Sequence, residues 1–372
     1  MSDAAAPSKP EEVPPIQVSL LTGFLGSGKT TLLNALLKHE DMAETAVLVN
    51  EFGDIGIDHA LVENVDENMI ELTTGCLCCA VQGDLTRALQ ELFLKRVRGK
   101  VPPFRRVLIE TTGLADPAPI LHTLINDPII ATRFFLDGVI ATADAVLGSS
   151  QLDRHPEPRK QAAVADRIVL TKTDMADEEA IARIETRLRT LNPAAPIIHS
   201  AYGNVAPSDL FGCGLYDPET KSFDVRKWLK EEAYQADHGG HDHHAHGSHN
   251  HDHDHDHHHD PERHGDGIAS FCMTREAPID WSTFVTWIQT LITHRGEDIL
   301  RIKGIVNLVD EEQPIAIHGV QHIFHSPVRL PAWPSKDHRT KIVFITRGLD
   351  RAVIEQSLDA LDKAGEETGA PA

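Results

Sequence analysis

Eight residues, Gly23-Phe24-Leu25-Gly26-Ser27-Gly28-Lys29-Thr30, restrict this chain more than any other stretch. A glycine, four residues and then Gly-Lys-Thr satisfy the phosphate-loop pattern. The apolar run Ile16 to Leu21 leads in and reads as a buried strand. Thr30 to His39 leads out as a predicted helix, with Leu32, Leu33, Leu36 and Leu37 on one side. Strand, glycine-rich turn and helix are the context that confirms such a match. In it, the backbone amides of Gly23, Gly26, Ser27, Gly28 and Thr31 wrap phosphates, Lys29 neutralises the β and γ phosphates, and the Thr30 hydroxyl completes a magnesium shell.

Further strands are predicted at Ala46–Val49, Val107–Ile109, Gly138–Ala141, Ile168–Leu170 and Ile197–Ile198, with helices at Leu85–Arg96 and Glu178–Thr190. Strands alternating with helices predict an α/β fold with a doubly wound, mostly parallel sheet. The pattern stops near Asp237. From His238 to His264 the chain is histidine, aspartate and glycine with almost nothing apolar, a linker by composition. Order resumes at Ile268. Strands are predicted at Phe271–Met273, Ile305–Val309, His322–Phe324 and Ile342–Ile345, and helices at Trp281–Thr293 and Asp350–Lys363. That set predicts a smaller C-terminal α+β domain with an antiparallel sheet. Trp281, Phe284, Trp287 and Ile288 are expected in its core. The expected divisions are a tail at 1–15, a P-loop domain at 16–236, the linker at 237–267, the second domain at 268–363 and a tail at 364–372.

With 41% hydrophobic residues, burying a core is not in question. No apolar run reaches the ~18 residues of a membrane span. Met1 to Pro15 lacks an apolar signal region, so a disordered tail and a cytoplasmic location are expected. The net charge of −21 argues against nucleic acid as a partner. Protonating all 23 histidines would bring it to about +2, so the charge is sensitive to pH and to bound cations.

Glu110-Thr111-Thr112-Gly113 follows a strand, where Glu110 can hold magnesium and Gly113 can bring a backbone N–H to a γ phosphate. Thr171-Lys172-Thr173-Asp174 follows another. There Asp174 can accept both N–H donors of guanine while the Lys172 stem packs on the base, which favours GTP over ATP. The usual form of this tetrapeptide begins with Asn, so Thr171 is a departure.

Cys76-Leu77-Cys78-Cys79 places three thiols within four residues. Thiolates suit Zn²⁺, which prefers four ligands, so one position stays open for a carboxylate, histidine, water or partner. A permanent structural zinc, a redox pair and plain packing residues are the competing readings. In Asn50 to Asp58, Glu51 and Asp54 could serve magnesium, water or the transferred metal, with Glu51 a fourth-ligand candidate, beside the reading of a turn with solvated acids. Thirteen of the histidines lie in His238 to His264. Among them His241, His243, His244, His246, His249, His251, His253, His255, His257, His258 and His259 are expected to capture metal loosely, with Asp252, Asp254 and Asp256 offsetting its charge. Cys213 and Cys272 stand alone and read as packing residues.

Together these motifs resemble the CobW-like GTPases, a family of proposed metal chaperones. The carrying residues are Thr22 to Thr31, Asn50 to Asp58, Gly75 to Cys79, Glu110 to Pro117 and Leu170 to Asp174. In the second domain they are Leu300 to Gly304, Gly319-Val320-Gln321 and Lys341 to Arg347. The resemblance implies slow, Mg²⁺-dependent GTP hydrolysis in which Lys29 and Glu110 take part. It also implies Zn²⁺ or Co²⁺ at Cys76, Cys78 and Cys79, and delivery to a client protein of unknown identity. The subgroups serve cobalamin synthesis, zinc homeostasis or a nitrile hydratase, and no residue here separates them. The expected partners are that client and, as an option, a second copy joined in a nucleotide- or metal-dependent homodimer. A zinc or cobalt store with a regulatory nucleotide site is the alternative, with a nickel-insertion type of GTPase behind it.

Overall fold

The computed structural model describes residues 15–50, 70–74, 82–214, 216–217, 222–223, 267–324 and 326–368. The sites expected at Glu51, at Cys76, Cys78 and Cys79, and along His238 to His264 lie outside the described residues.

Among the described residues seven strands form the first sheet: β1 (Ile16–Gly23), β2 (Thr45–Asn50), β3 (Ile70–Thr74), β4 (Arg106–Glu110), β5 (Phe134–Asp144), β6 (Arg167–Thr171) and β7 (Ile197–Ser200). Their order is β3-β2-β4-β1-β5-β6-β7, every pair parallel. The helices are α1 (Lys29–Leu37), α2 (Gln82–Val97), α3 (Ala118–Asn126), α4 (Pro128–Ala131), α5 (Gly148–Arg154), α6 (Pro156–Val164), α7 (Glu178–Leu191) and α8 (Pro207–Leu210). The chain leaves β1 toward β2 on one side and later builds β5, β6 and β7 on the other. The reversal makes the carboxyl end of β1 a topological switch point, where open α/β sheets bind ligands. Register puts Leu21 beside Glu110 and Gly23 beside Thr142 there.

β5 shifts register against β1 at Asp137. Its buried carboxylate accepts N–H bonds from Gly212, Cys213 and Gly214, which ties down the chain as it leaves this sheet. A two-stranded antiparallel pair, β8 (Tyr216–Asp217) and β9 (Ser222–Phe223), follows.

The C-terminal domain is an antiparallel sheet ordered β10-β15-β11-β12-β13, with β14 paired to β12. Its strands are β10 (Ile268–Arg275), β11 (Ile299–Val306), β12 (Ile315–Val320), β13 (Ile323–Phe324), β14 (Val328–Arg329) and β15 (Thr340–Arg347). The strand period of two assigns alternate residues to opposite faces. Phe271, Met273, Ile302, Ile317, Ile342 and Phe344 pack under the helices Trp281–Arg295 and Arg351–Thr368. Cys272, Leu300, Ala316, Val343 and Ile345 belong instead to one cluster with Ile120, Leu121, Ala163 and Val164 of the first domain. Phe284, Trp287 and Ile288 are buried as expected. Trp281 is 45% exposed, which corrects its placement in the core: it opens its helix and stacks on Phe284 at the rim.

Charge as well as apolar surface joins the domains. Arg301 donates to the Val164 carbonyl and to Asp166, and Lys303 donates to Asp166 at 2.8 Å. All three side chains are buried.

Candidate functional site

The phosphate loop spans the end of β1 and the start of α1. Gly28 precedes α1 at φ 89°, a left-handed conformation that glycine adopts without cost. Ser27 is fully buried and its hydroxyl shares a 2.6 Å hydrogen bond with Thr142. Its side chain therefore braces the loop, and the backbone is the part of Ser27 left for a ligand. The Thr171 hydroxyl lies 2.7 Å from the Ser27 carbonyl and 3.0 Å from the Ala143 carbonyl, and its one proton is donated between them, the shorter contact being to Ser27. The departure from Asn at this position thus has a structural purpose, since a buried threonine clasps the phosphate loop.

Lys29 is almost fully buried. Its ammonium donates to the Gly23 carbonyl at 2.8 Å and the Phe24 carbonyl at 3.2 Å. Burial pushes its pKa down, and the Glu110 carboxylate opposes that push. The Thr30 hydroxyl donates to Glu110 Oε1 at 3.4 Å. Lys29, Thr30 and Glu110, 80 residues apart in the chain, therefore converge at the switch point. Thr31 is exposed one residue further along α1.

Gly113 lies against the phosphate loop: a Cβ there would stand 2.6 Å from the Leu25 backbone nitrogen. The main chain has no room to yield without moving the loop. Gly113→Ala is expected to cost about 1–3 kcal/mol of stability through overpacking. Because the shift falls on Leu25, nucleotide affinity should fall with it; thermal denaturation and calorimetric titration check both.

Lys172, at φ 58°, donates to the Gly26 carbonyl at 2.8 Å and to Asp144 at 2.6 Å. The fully buried Asp144 also accepts the Val146 and Leu147 N–H groups. Lys172 is thus a strut between two loops. Asp174 stands exposed two residues on. Cys213 is buried among backbone and carboxylates. Burial, then the Asp166 carboxylate, push its thiol up to about 12, so the free thiol stays protonated at neutral pH.

Sequence reasoning passed over Thr142, Asp144, Asp116, Lys160 and Gln161. Asp116 lies within Glu110 to Pro117 without a role read for it there, and the other four sit in no motif; each acts on a segment far away in the chain. The Gln161 amide donates to the carbonyls of Gly113 and Ala115, and Lys160 pairs with Asp116 at 3.1 Å.

The nucleotide-binding domain of the CobW/HypB/UreG family matches residues 17–199, and the C-terminal domain of the cobalamin synthesis protein CobW matches residues 268–362. The zinc chaperone YjiA of Escherichia coli is 31% identical over 349 residues, which is 94% of this chain and 99% of that protein. The chain belongs to the CobW/HypB/UreG family of P-loop GTPases. Its CobW-family relatives include the zinc-regulated GTPase metalloprotein activator 1 of Schizosaccharomyces pombe, 29% identical over 361 residues, covering 91% of this chain and 84% of that one. The crystal structure of Zn(II)-bound YjiA GTPase from Escherichia coli is similar at a TM-score of 0.65 and 28% identity, over 94% of this chain and 99% of that one. CobW-family likeness thus takes in both sheets.

Proposed function

We propose that this protein is a GTP-hydrolysing metallochaperone that carries Zn²⁺, with Co²⁺ as the next choice, to a client protein. The observation that carries the reading is the meeting of Lys29, Thr30 and Glu110 at the switch point, in a chain whose full-length relatives are named zinc chaperones. Lys29 would hold the β and γ phosphates. A hydroxyl and a carboxylate in contact offer the oxygen donors that suit Mg²⁺, so Thr30 and Glu110 would hold that ion, directly or through water. When bound it supplies charge stabilisation at the transferring phosphoryl group. Gly113 brings an N–H toward the γ phosphate. Asp174 reads guanine, while Lys172 keeps its loop in register with the phosphate loop.

The cargo metal would bind the thiolates of Cys76, Cys78 and Cys79, with Glu51 or a client side chain as fourth ligand. The histidines between His238 and His264 would gather it from solution. Coupling between the two sites has to be reciprocal: if GTP tightens metal binding, metal tightens GTP binding by the same factor. Zn²⁺ and Co²⁺ affinities measured with GTP and with GDP bound should differ by about 5–150-fold, the usual range of such coupling. Equal affinities in the two states would sink the chaperone reading. The density of histidine favours one second reading, a metal store. Deleting residues 238–264 would strip a store of most of its capacity, whereas a chaperone would keep its tight thiol site.

A further inference from the structure

Gln161 is 1% exposed and lies on α6, a helix outside every nucleotide motif. Its Nε2 donates to the Gly113 carbonyl at 3.3 Å and to the Ala115 carbonyl at 3.1 Å. A buried amide spanning two carbonyls of one turn fixes the peptide planes that carry the Leu114 and Asp116 N–H groups, and through them limits the turn that also carries the Gly113 N–H. The turn is closed from within by the Ala115 N–H on the Thr112 carbonyl at 3.1 Å. Gly113 in turn is wedged against Leu25 of the phosphate loop. Any rotation of the 113–115 backbone must therefore break the Gln161 bonds or push Leu25.

One residue before, Lys160 holds Asp116 Oδ2, which also accepts from Gln321 of the C-terminal domain at 3.5 Å. One turn after, the Val164 carbonyl accepts from Arg301. α6 is thus fastened at its far end to the second domain, and at its near end it grips the loop beside the phosphate site.

We propose that Gln161 is a positioning residue for GTP hydrolysis. It holds the Gly113 turn so that its N–H groups face the γ phosphate, and it does so from a helix that the second domain fixes in place. This rests on the GTPase reading above, with Gly113 beside the γ phosphate. Gln161 does not touch nucleotide; it acts through two carbonyl oxygens. The side chain's shape matters less than its two N–H donors.

The test is single-turnover hydrolysis of Mg-GTP at pH 8 by the full-length protein and its Gln161→Met and Gln161→Glu variants, with Mg-GTP and Mg-GDP affinities and thermal midpoints in parallel. Methionine keeps the volume and removes the donors. Glutamate keeps the shape but turns a carboxylate on two carbonyls. Hydrolysis should slow by about 10–100-fold in Q161M, the scale of losing near-attack geometry, and further in Q161E. Mg-GDP affinity should stay within about twofold, since GDP lacks the γ phosphate that the turn addresses. Unchanged hydrolysis with a lowered midpoint overturns the proposal and leaves Gln161 a packing residue. Equal losses of GTP and GDP affinity at constant rate overturn it as well, as does a Q161E rate equal to that of the parent. If the parent protein itself fails to hydrolyse GTP, the GTPase reading falls and takes this one with it. Hydrolysis by the parent with Q161M unaffected overturns this one alone.

Discussion

Asp166→Asn should destabilise the protein by about 3–5 kcal/mol, the usual cost of stranding a buried charge. Asparagine keeps the shape and removes the charge that Arg301 and Lys303 share. Burial alone would raise the Asp166 carboxyl. Arg301, then Lys303 and His318, overcome that and hold it far below the usual carboxylate range. A carboxyl lowered in the folded state adds stability above its unfolded pKa of about 4, and that stability is lost as pH falls further. The contribution of Asp166 is therefore complete at neutral pH. Lys303 behaves in the opposite sense. Burial and the Arg301 guanidinium press it down to about 8 against the pull of Asp166. Its charge is the more costly one in the folded state, so between about 8 and its unfolded value of about 10.4 rising pH favours folding through this group. In Asp166→Asn the lysine loses its counter-ion, and the deficit should shrink as pH rises and Lys303 sheds its proton. Urea denaturation at pH 7 and pH 9.5 measures both effects. A deficit below about 1 kcal/mol, the range of exposed pairs, would mean that water reaches the seam.

Lys29→Ala should abolish most of the response to nucleotide. The side chain is buried beside the phosphate loop with its ammonium on two of the loop's carbonyls. Removing one preorganised charge donor from such a site costs about 10²–10³ in rate. Affinity for Mg-GTP falls as well, and with it the ligand's stabilisation of the fold, about 2.7 kcal/mol at a hundred times the Kd. The parent protein should show a thermal midpoint that climbs with Mg-GTP concentration, and the variant a nearly flat one. The folded state already disfavours the charged lysine through burial, so the ligand-free variant should stand close to the parent. A midpoint that still climbs with Mg-GTP in the variant would place the phosphates elsewhere.

The first domain is legible in the sequence because its chemistry sits in neighbouring residues. Gly23 to Thr30 announces a strand, a turn and a helix in eight positions, and all three are found. The second sheet is less legible, and β11 shows why. The expected strand began at Ile305, whereas the strand runs Ile299–Val306 with every residue buried. Arg301 and Lys303 interrupt the apolar run, so the sequence shows no continuous buried strand there. Their partner Asp166 lies more than 130 residues away, on a surface no local pattern reveals. α6 was hidden for a related reason. Pro156-Glu157-Pro158-Arg159-Lys160-Gln161 looks like a polar loop, yet proline is welcome in a helix's first turn and Gln161 is buried on a backbone target. β12 (Ile315–Val320) lies between turns where no strand is predicted, and Gly319-Val320-Gln321 marks only its end. What local pattern conveys is chemistry between neighbours; what it withholds is the partner across the seam.

The C-terminal sheet has two covered faces, one under its own helices and one in the first domain's cluster. The histidine-rich stretch before it looks like the natural place to divide the protein. Cutting there would leave Cys272, Leu300, Val343 and Ile345 wet on one fragment and Ile120, Leu121 and Val164 wet on the other. Apolar surface of that kind drives fragments to aggregate. The hydrophilic break thus separates layers that share one apolar cluster, and the two halves should unfold in a single transition.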